Sequence, residues 1–218
     1  YNEEGPKLSR DRQDAFSALS HERAAAAIKD GRMAEEITPV SIPQRKGDPI
    51  VVDTDEGVRP ETTVESLGKL KPAITAGNAS QISDGGAAVI VMSAAKAAEL
   101  GLTPLGEIIS YGQVAGPNTS LLTQPSQAIL KACEKAGVKV SDLSLFELNE
   151  AFAAVGLASA DELGIDEDKI NPTGGAIALG HPVGMSGTRI ALTLLLELRR
   201  RGGGMGASVH LGEGPGPG

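Results

Sequence analysis

The sequence predicts a layered α/β protein, a sheet covered by helices. Three observations carry this expectation. From about residue 73 onward, apolar strand-like runs alternate with helical patterns, the order expected of an α/β sheet. Gly86–Met92 (Gly-Ala-Ala-Val-Ile-Val-Met) is almost continuously apolar, as in a strand buried on both faces. Glycines stand where the helical patterns stop, at Gly101, Gly137 and Gly164.

Taken in chain order, Ser9 caps a helix running to about Lys29 or Asp30, with Gly31 as its stop. Phe16, Leu19, Ala24 and Ile28 keep an approximate helical period along it. Residues 37–42 and 50–53 read as short strands joined by a polar turn, and 54–72 are irregular with a helical turn near 63–68. This first third reads as a small accessory region. Beyond it, Gly86–Met92 is a strand, Ala94–Leu100 a helix, Leu105–Tyr111 a strand and Pro125–Ala136 a helix. Leu143–Leu148 is a strand, Glu150–Leu163 a helix, Gly184–Arg201 a long helix and Met205–Leu211 a closing strand.

Composition narrows the function. At 218 residues the chain holds one large or two small domains. Aromatics are only 2%, so Leu, Ile, Val and Ala must fill the core. A net charge of −8 argues against a nucleic-acid partner, which would want a basic face. The basic run Arg199-Arg200-Arg201 ends a helix, where cations complement the dipole. No apolar run reaches the roughly 18 residues of a membrane span, and no signal-peptide pattern opens the chain, so a cytoplasmic location is expected. The chain begins at Tyr1 rather than Met, as part of a longer polypeptide would. The single cysteine, Cys133, excludes an intrachain disulfide and fits a reducing compartment.

The residues that point to chemistry lie in three segments. The first is Gly174-Gly175-Ala176-Ile177-Ala178-Leu179-Gly180-His181-Pro182-Val183-Gly184-Met185-Ser186-Gly187-Thr188-Arg189. Such a segment contributes little buried side chain, but it lets backbone approach a ligand closely and holds an imidazole at a turn. His181 has the pKa range of a general base. The second is Asn149-Glu150-Ala151-Phe152-Ala153, at the C-terminal end of a strand, where open α/β sheets place their ligands. Asn149 can cap the helix that follows and can also orient a water or donate to a developing oxyanion. The third, Thr75–Ser80 followed by Ser83-Asp84-Gly85-Gly86, is a small-residue stretch fit for a turn or for a surface under an extended ligand. Cys133 lies late in a helix beside Glu134, with no electropositive setting, and reads as structural rather than nucleophilic. His21, His181 and His210 are too scattered for a zinc motif, and no metal or redox cofactor is expected.

Segments 9–31, 75–92, 145–156 and 171–201 together resemble the second half of a thiolase, an enzyme that transfers acyl groups between a carbon nucleophile and coenzyme A. The resemblance implies an α/β/α domain with a mixed five-stranded sheet over 73–218, preceded by the end of an α+β loop domain over 1–72. It implies that His181 activates a nucleophilic cysteine and helps bind the thioester oxygen, and that Asn149 holds a water in that oxyanion hole. Ala76, Ser80 and Phe152 match positions lining the pantetheine of coenzyme A. The substrates implied are acyl-CoA and coenzyme A, with no further cofactor, no membrane span and a homodimer or homotetramer as the assembly.

The sequence departs from the pattern in three places. The nucleophilic cysteine belongs to the family's N-terminal half, which is not in this chain. The second, acid/base cysteine is missing: counting from the last helix puts Leu211 there, whereas matching the glycines puts His210 there. The segment 71–75 is several residues shorter than the family's. A thiolase-fold protein that binds acyl-CoA or lipid without turnover is therefore the alternative reading. A nucleotide-binding module built on the 174–187 glycines ranks below both, because Gly187-Thr188-Arg189 lacks the phosphate-binding lysine.

Overall fold

A computed structural model describes residues 5–71, 74–116 and 120–211. The shortened segment at 71–75 in part, and the glycine-proline tail after Leu211, lie outside the described residues.

Helix α1 (Arg10–Lys29) starts where the Ser9 side chain accepts from the Arg12 amide, 3.2 Å. Its buried face differs from the one the apolar period suggests. Asp14, Ser17, Ser20 and His21 are buried with Phe16, Ala24 and Ala27, while Leu19 and Ile28 are only half-buried. Polar groups sit in that face because each finds a partner there, as buried polar groups must. The Ser17 hydroxyl donates to Gln13 O, His21 Nδ1 accepts from the Arg59 amide, and Asp14 accepts from Arg10. β1 (Val40–Ile42) and β2 (Ile50–Val52) form an antiparallel hairpin, followed by α2 (Val64–Gly68) with Thr63 and Ser66 in a reciprocal capping box.

The remaining helices are α3 (Ala94–Glu99), α4 (Gln124–Ala136), α5 (Ala153–Leu163), the single turn α6 (Ala176–Leu179) and α7 (Val183–Arg200). α4 and α5 both end at left-handed glycines, Gly137 and Gly164. β3 (Leu145–Leu148) pairs in parallel with β4 (Gly206–Val209), Leu145 opposite Gly206. Strand alternation then sorts β3 between two layers. Phe146 and Leu148 enter a core with Ile129 of α4 and Leu157 of α5. Leu145 packs on Leu194 and Leu198, which with Ile190 form the buried i, i+4, i+8 stripe of α7. Each large apolar side chain buried in this way contributes about 1.5–3 kcal/mol. α1 packs against α5 and α6, so the accessory region is joined to the layered part.

The expected strands at Gly86–Met92 and Leu105–Tyr111 carry no ladder. Among the described residues there are four strands in two separate two-stranded sheets, not five in one. Ile90 is 88% exposed and Ile108 74%. An apolar run specifies a demand for burial but not which edge it pairs with. Here Gly106 presses on Leu195 of α7 and Gly112 on Ala128 of α4, so residues 103–112 cross the helices like a strap. A cavity of about 1140 Å³ then separates this strap from the free edge of β4.

Candidate functional site

Asn149 and His181 come from turns 32 residues apart in sequence, and the fold places Asn149 Nδ2 at 3.1 Å from His181 Nε2. The expected cap role of Asn149 is corrected: α5 starts three residues later, with Phe152 in the cap position and no side-chain cap bond. Asn149 stays in extended chain just past β3, held by its amide on Val209 O at 3.0 Å. Its side chain is thereby left to face the imidazole, and its Oδ1 is buried without a protein partner.

The tautomer of His181 follows from a chain of donors. The Ser186 hydroxyl donates to Pro182 O at 3.0 Å, closing the first turn of α7. Its oxygen, 2.7 Å from His181 Nδ1, is then an acceptor, so Nδ1 carries the proton. Nε2 is left with a lone pair, which receives the Asn149 amide. Burial holds the His181 pKa below the ordinary histidine value, with the positive fields of His210 and Arg189 acting in the same direction. The ring is therefore neutral at pH 7 and competent to take a proton at Nε2. Sequence reasoning missed Ser186; the signal was a hydroxyl five residues after the histidine, in the first turn of a helix.

His210 meets His181 edge to face, with ring centroids 5.5 Å apart. Its Nδ1 is buried without a partner, and burial lowers its pKa as well. Among the described residues, the partners of Asn149 and His181 do not include Leu211.

The third predicted segment braces both turns. Ser80 N donates to Ala151 O at 3.0 Å, Ala153 N to Asn78 O at 2.9 Å, and Ala79 bridges Phe152. Gln81 Nε2 donates to Ile177 O and Ala178 O, and the His181 amide donates to Ser83 Oγ at 3.1 Å. Ser80 and Phe152 are thus brought together, while Ala76 lies exposed in the preceding turn. Gly180 is required twice over: its φ is +90°, and a Cβ there would overlap the Ser83 hydroxyl.

The other glycines of the 174–187 run do not all face the cleft. A Cβ at Gly174 would meet Ala24 and Ser20 O of α1, and one at Gly175 would overlap the Glu150 carboxylate. Glu150 is 1% exposed and accepts from Ser20 Oγ (2.7 Å), Asn171 Nδ2 (2.7 Å) and the Ile177 amide (3.1 Å).

Cys133 sits apart from this cluster. It is buried in α4 and lines the large cavity, and burial together with the Asp142 charge pushes its thiol pKa up. Neither Asn149 nor His181 lines that cavity. Among the described residues no group of three or more His, Cys, Asp or Glu is placed to hold a metal, and no helix is long and apolar enough to cross a membrane.

Residues 3–95 match the family described as thiolase, N-terminal domain, and residues 102–218 match thiolase, C-terminal domain. The expectation that none of the N-terminal half is in this chain is thereby corrected: the chain carries part of it, without a cysteine. A probable acetyl-CoA acetyltransferase of Mycolicibacterium smegmatis is 59% identical over 214 residues, covering 95% of this chain and 55% of that protein. The corresponding Mycobacterium tuberculosis protein is 55% identical over 213 residues, covering 95% and 54%. The crystal structure of the Bacillus anthracis acetyl-CoA acetyltransferase superposes with a TM-score of 0.88 at 39% identity, over 92% of this chain and 52% of that one. Human mitochondrial 3-ketoacyl-CoA thiolase gives 0.85 at 42% identity, over 90% and 51%. The chain spans about half the length of the curated relatives it matches.

Proposed function

Because the chain belongs to the thiolase family, we propose that the full-length protein transfers acyl groups between acyl-CoA and coenzyme A or acetyl-CoA. The reaction is thiolytic cleavage of a 3-ketoacyl-CoA or its formation by Claisen condensation of two acyl-CoA molecules. The observation that carries this reading is the Asn149–His181 pair, with Nδ1 of the imidazole tied to Ser186 and Nε2 unprotonated, its lone pair held by the Asn149 amide until a thiol takes that place. His181 Nε2 takes the proton of a cysteine thiol supplied by the part of the protein outside this chain. The thiolate attacks the thioester carbonyl and forms a tetrahedral oxyanion. The protonated Nε2 and a water held by Asn149 donate to that oxygen. In the condensation direction, collapse expels coenzyme A, which leaves as the thiol by taking the Nε2 proton. The acyl group on the cysteine then passes to the carbanion of a second acetyl-CoA, whose methyl proton goes to a base outside this chain. In thiolysis the cysteine adds instead to the C3 ketone, the acetyl-CoA carbanion leaves and is protonated, and the coenzyme A thiol takes the acyl group from the cysteine.

Ala76, Ser80 and Phe152 are the proposed surface for the pantetheine arm. Residues 1–72 are proposed as the end of a loop domain and 73–218 as the C-terminal catalytic domain. In the full-length protein, 86–92 and 105–111 join β3 and β4 as four strands of the proposed mixed five-stranded sheet, in keeping with their apolar, exposed residues. A cytoplasmic homodimer or homotetramer without further cofactor completes the proposal.

A second reading, an acyl-CoA binder without turnover, draws on one observation: the chain's sole thiol is buried and disfavoured as a thiolate. One experiment separates the two. The full-length protein is mixed with acetyl-CoA, quenched in acid and mapped by peptide mass spectrometry. Stoichiometric acetylation of a cysteine encoded upstream of Tyr1, with Cys133 unmodified, is expected. Absence of any acyl-cysteine would favour the binder, and acetylation at Cys133 would overturn the site.

A further inference from the structure

Glu150 follows Asn149 directly, yet its side chain is buried against α1 and α6 rather than placed beside His181. Its carboxylate gathers donors from three parts of the chain: the Ser20 hydroxyl of α1, the Asn171 amide and the Ile177 backbone N–H of α6. Asn171 is itself locked, since its Oδ1 accepts from Leu148 N at 2.8 Å and its Nδ2 also donates to Leu148 O at 2.9 Å. Ser20 Oγ in turn accepts from the Gly175 amide at 3.1 Å. Gly175 has no space for a side chain because the carboxylate fills it. One end of this network is one residue from Asn149, and the other is four residues from His181.

From this juxtaposition we infer that Glu150 is a positioning residue: by tying the Asn149 turn to the α6 segment, its carboxylate sets the spacing of Asn149 and His181, with Ser20 and Asn171 as struts. The inference rests on the proposal that this pair performs the chemistry. Glutamine cannot replace the carboxylate. Its NH2 group would face either Asn171 Nδ2 or the Ile177 amide, both donors, and Asn171 cannot turn over without losing Leu148.

The test compares Glu150→Gln and Ser20→Ala with wild type in the full-length protein. Steady-state thiolysis of a 3-ketoacyl-CoA gives kcat and KM. NMR of 15N-histidine-labelled protein follows the His181 ring nitrogens through a pH titration, with His210 and Arg189 as the charged or titratable neighbours common to all three proteins. For Glu150→Gln, kcat should fall by roughly 10- to 100-fold, the cost of a displacement on the order of 1 Å in a catalytic group. KM should stay within about threefold, as for loss of transition-state rather than ground-state contacts. The His181 Nε2 resonance and titration midpoint should be displaced. Ser20→Ala, which removes one donor and leaves the carboxylate, should fall between the two and carries the test if Glu150→Gln does not fold. Wild-type kcat and unmoved His181 resonances in the folded variants, with only a lower melting temperature, would overturn the inference. If wild type itself has no turnover, the functional reading fails, while displaced His181 resonances in the variants still support the positioning role.

Discussion

Replacing Glu147 by glutamine should stabilise the protein by an amount that grows with pH. Glu147 lies on β3 two residues before Asn149, on the face turned to α7, and is 1% exposed. Arg189 Nη1 is its nearest cation at 3.7 Å, too far for a hydrogen bond, and neither carboxylate oxygen has a protein partner. Burial disfavours the charged form and Arg189 favours it, while Glu150, Glu36 and Glu197 oppose ionisation; burial wins, and the carboxyl is pushed up to about 8. At pH 7 it is held neutral in the folded protein, whereas in the unfolded chain, with a pKa near 4.5, it is ionised. A folded pKa above the unfolded one means that an acid loses stability as pH rises through that window. At about 1.4 kcal/mol per unit, the loss attributable to Glu147 is about 1 kcal/mol at pH 5, about 3 at pH 7 and about 5 at pH 9. Glutamine removes the titration, and whatever else it changes in packing is independent of pH. The stability difference between Glu147→Gln and wild type should therefore widen by about 4 kcal/mol between pH 5 and pH 9. Denaturant unfolding across that range, with 13C NMR of the glutamate carboxyls, measures both quantities. A pH-independent difference, or a Glu147 carboxyl titrating near 4.5, would refute the reasoning.

Further outcomes are expected at the histidines and at two glycines. His181→Asn should lower kcat by roughly two to four powers of ten with coenzyme A binding retained. In wild type the acid limb of kcat/KM should have its midpoint below 6.5, because the lowered His181 pKa keeps the base free until pH falls through it; stability carried by neutral His21, His181 and His210 should be lost over the same descent from 6.5. Gly175→Ala should destabilise by about 1–3 kcal/mol or more through overlap with the Glu150 carboxylate, whereas Gly184→Ala, at a position with open space in the first turn of α7, should be neutral or stabilising by up to about 1 kcal/mol. Paired thermal melts distinguish these, and equal effects at the two glycines would count against the close-approach argument.

The parts of this molecule written in local sequence were the legible ones. Ser9, Gly137 and Gly164 mark helix ends because a cap depends on one residue and its immediate backbone. The pairing of Asn149 with His181 was legible as a site because both residues flank glycine or strand–helix turns. What escaped depends on partners far along the chain. On the polar buried face of α1, Ser20 makes sense only with Glu150, 130 residues away, in place, and His21 only with the Arg59 amide. The glycines at 174 and 175 suggest space for a ligand, yet the space they leave is taken by α1 and by Glu150. Gly86–Met92 announces burial through its apolarity, but no residue in it names the edge it should join. Asn149 has the chemistry of a cap, and only the path of Ala151 and Phe152 shows that the helix begins later.

A polypeptide with this outline is a template for its own aggregation. Among the described residues β4 is paired on one side only, and beside its other edge runs an extended strap carrying Ile108, Ile109 and Tyr111 in solvent. Val89, Ile90 and Val91 add a second apolar stretch without a ladder. Unpaired backbone next to β-branched side chains is the arrangement from which strangers recruit one another into intermolecular sheets. The net charge of −8 opposes this at low ionic strength and ceases to once salt screens it. Residues 1–218 alone are thus expected to lose solubility as salt is added, and covering the β4 edge is expected to restore it.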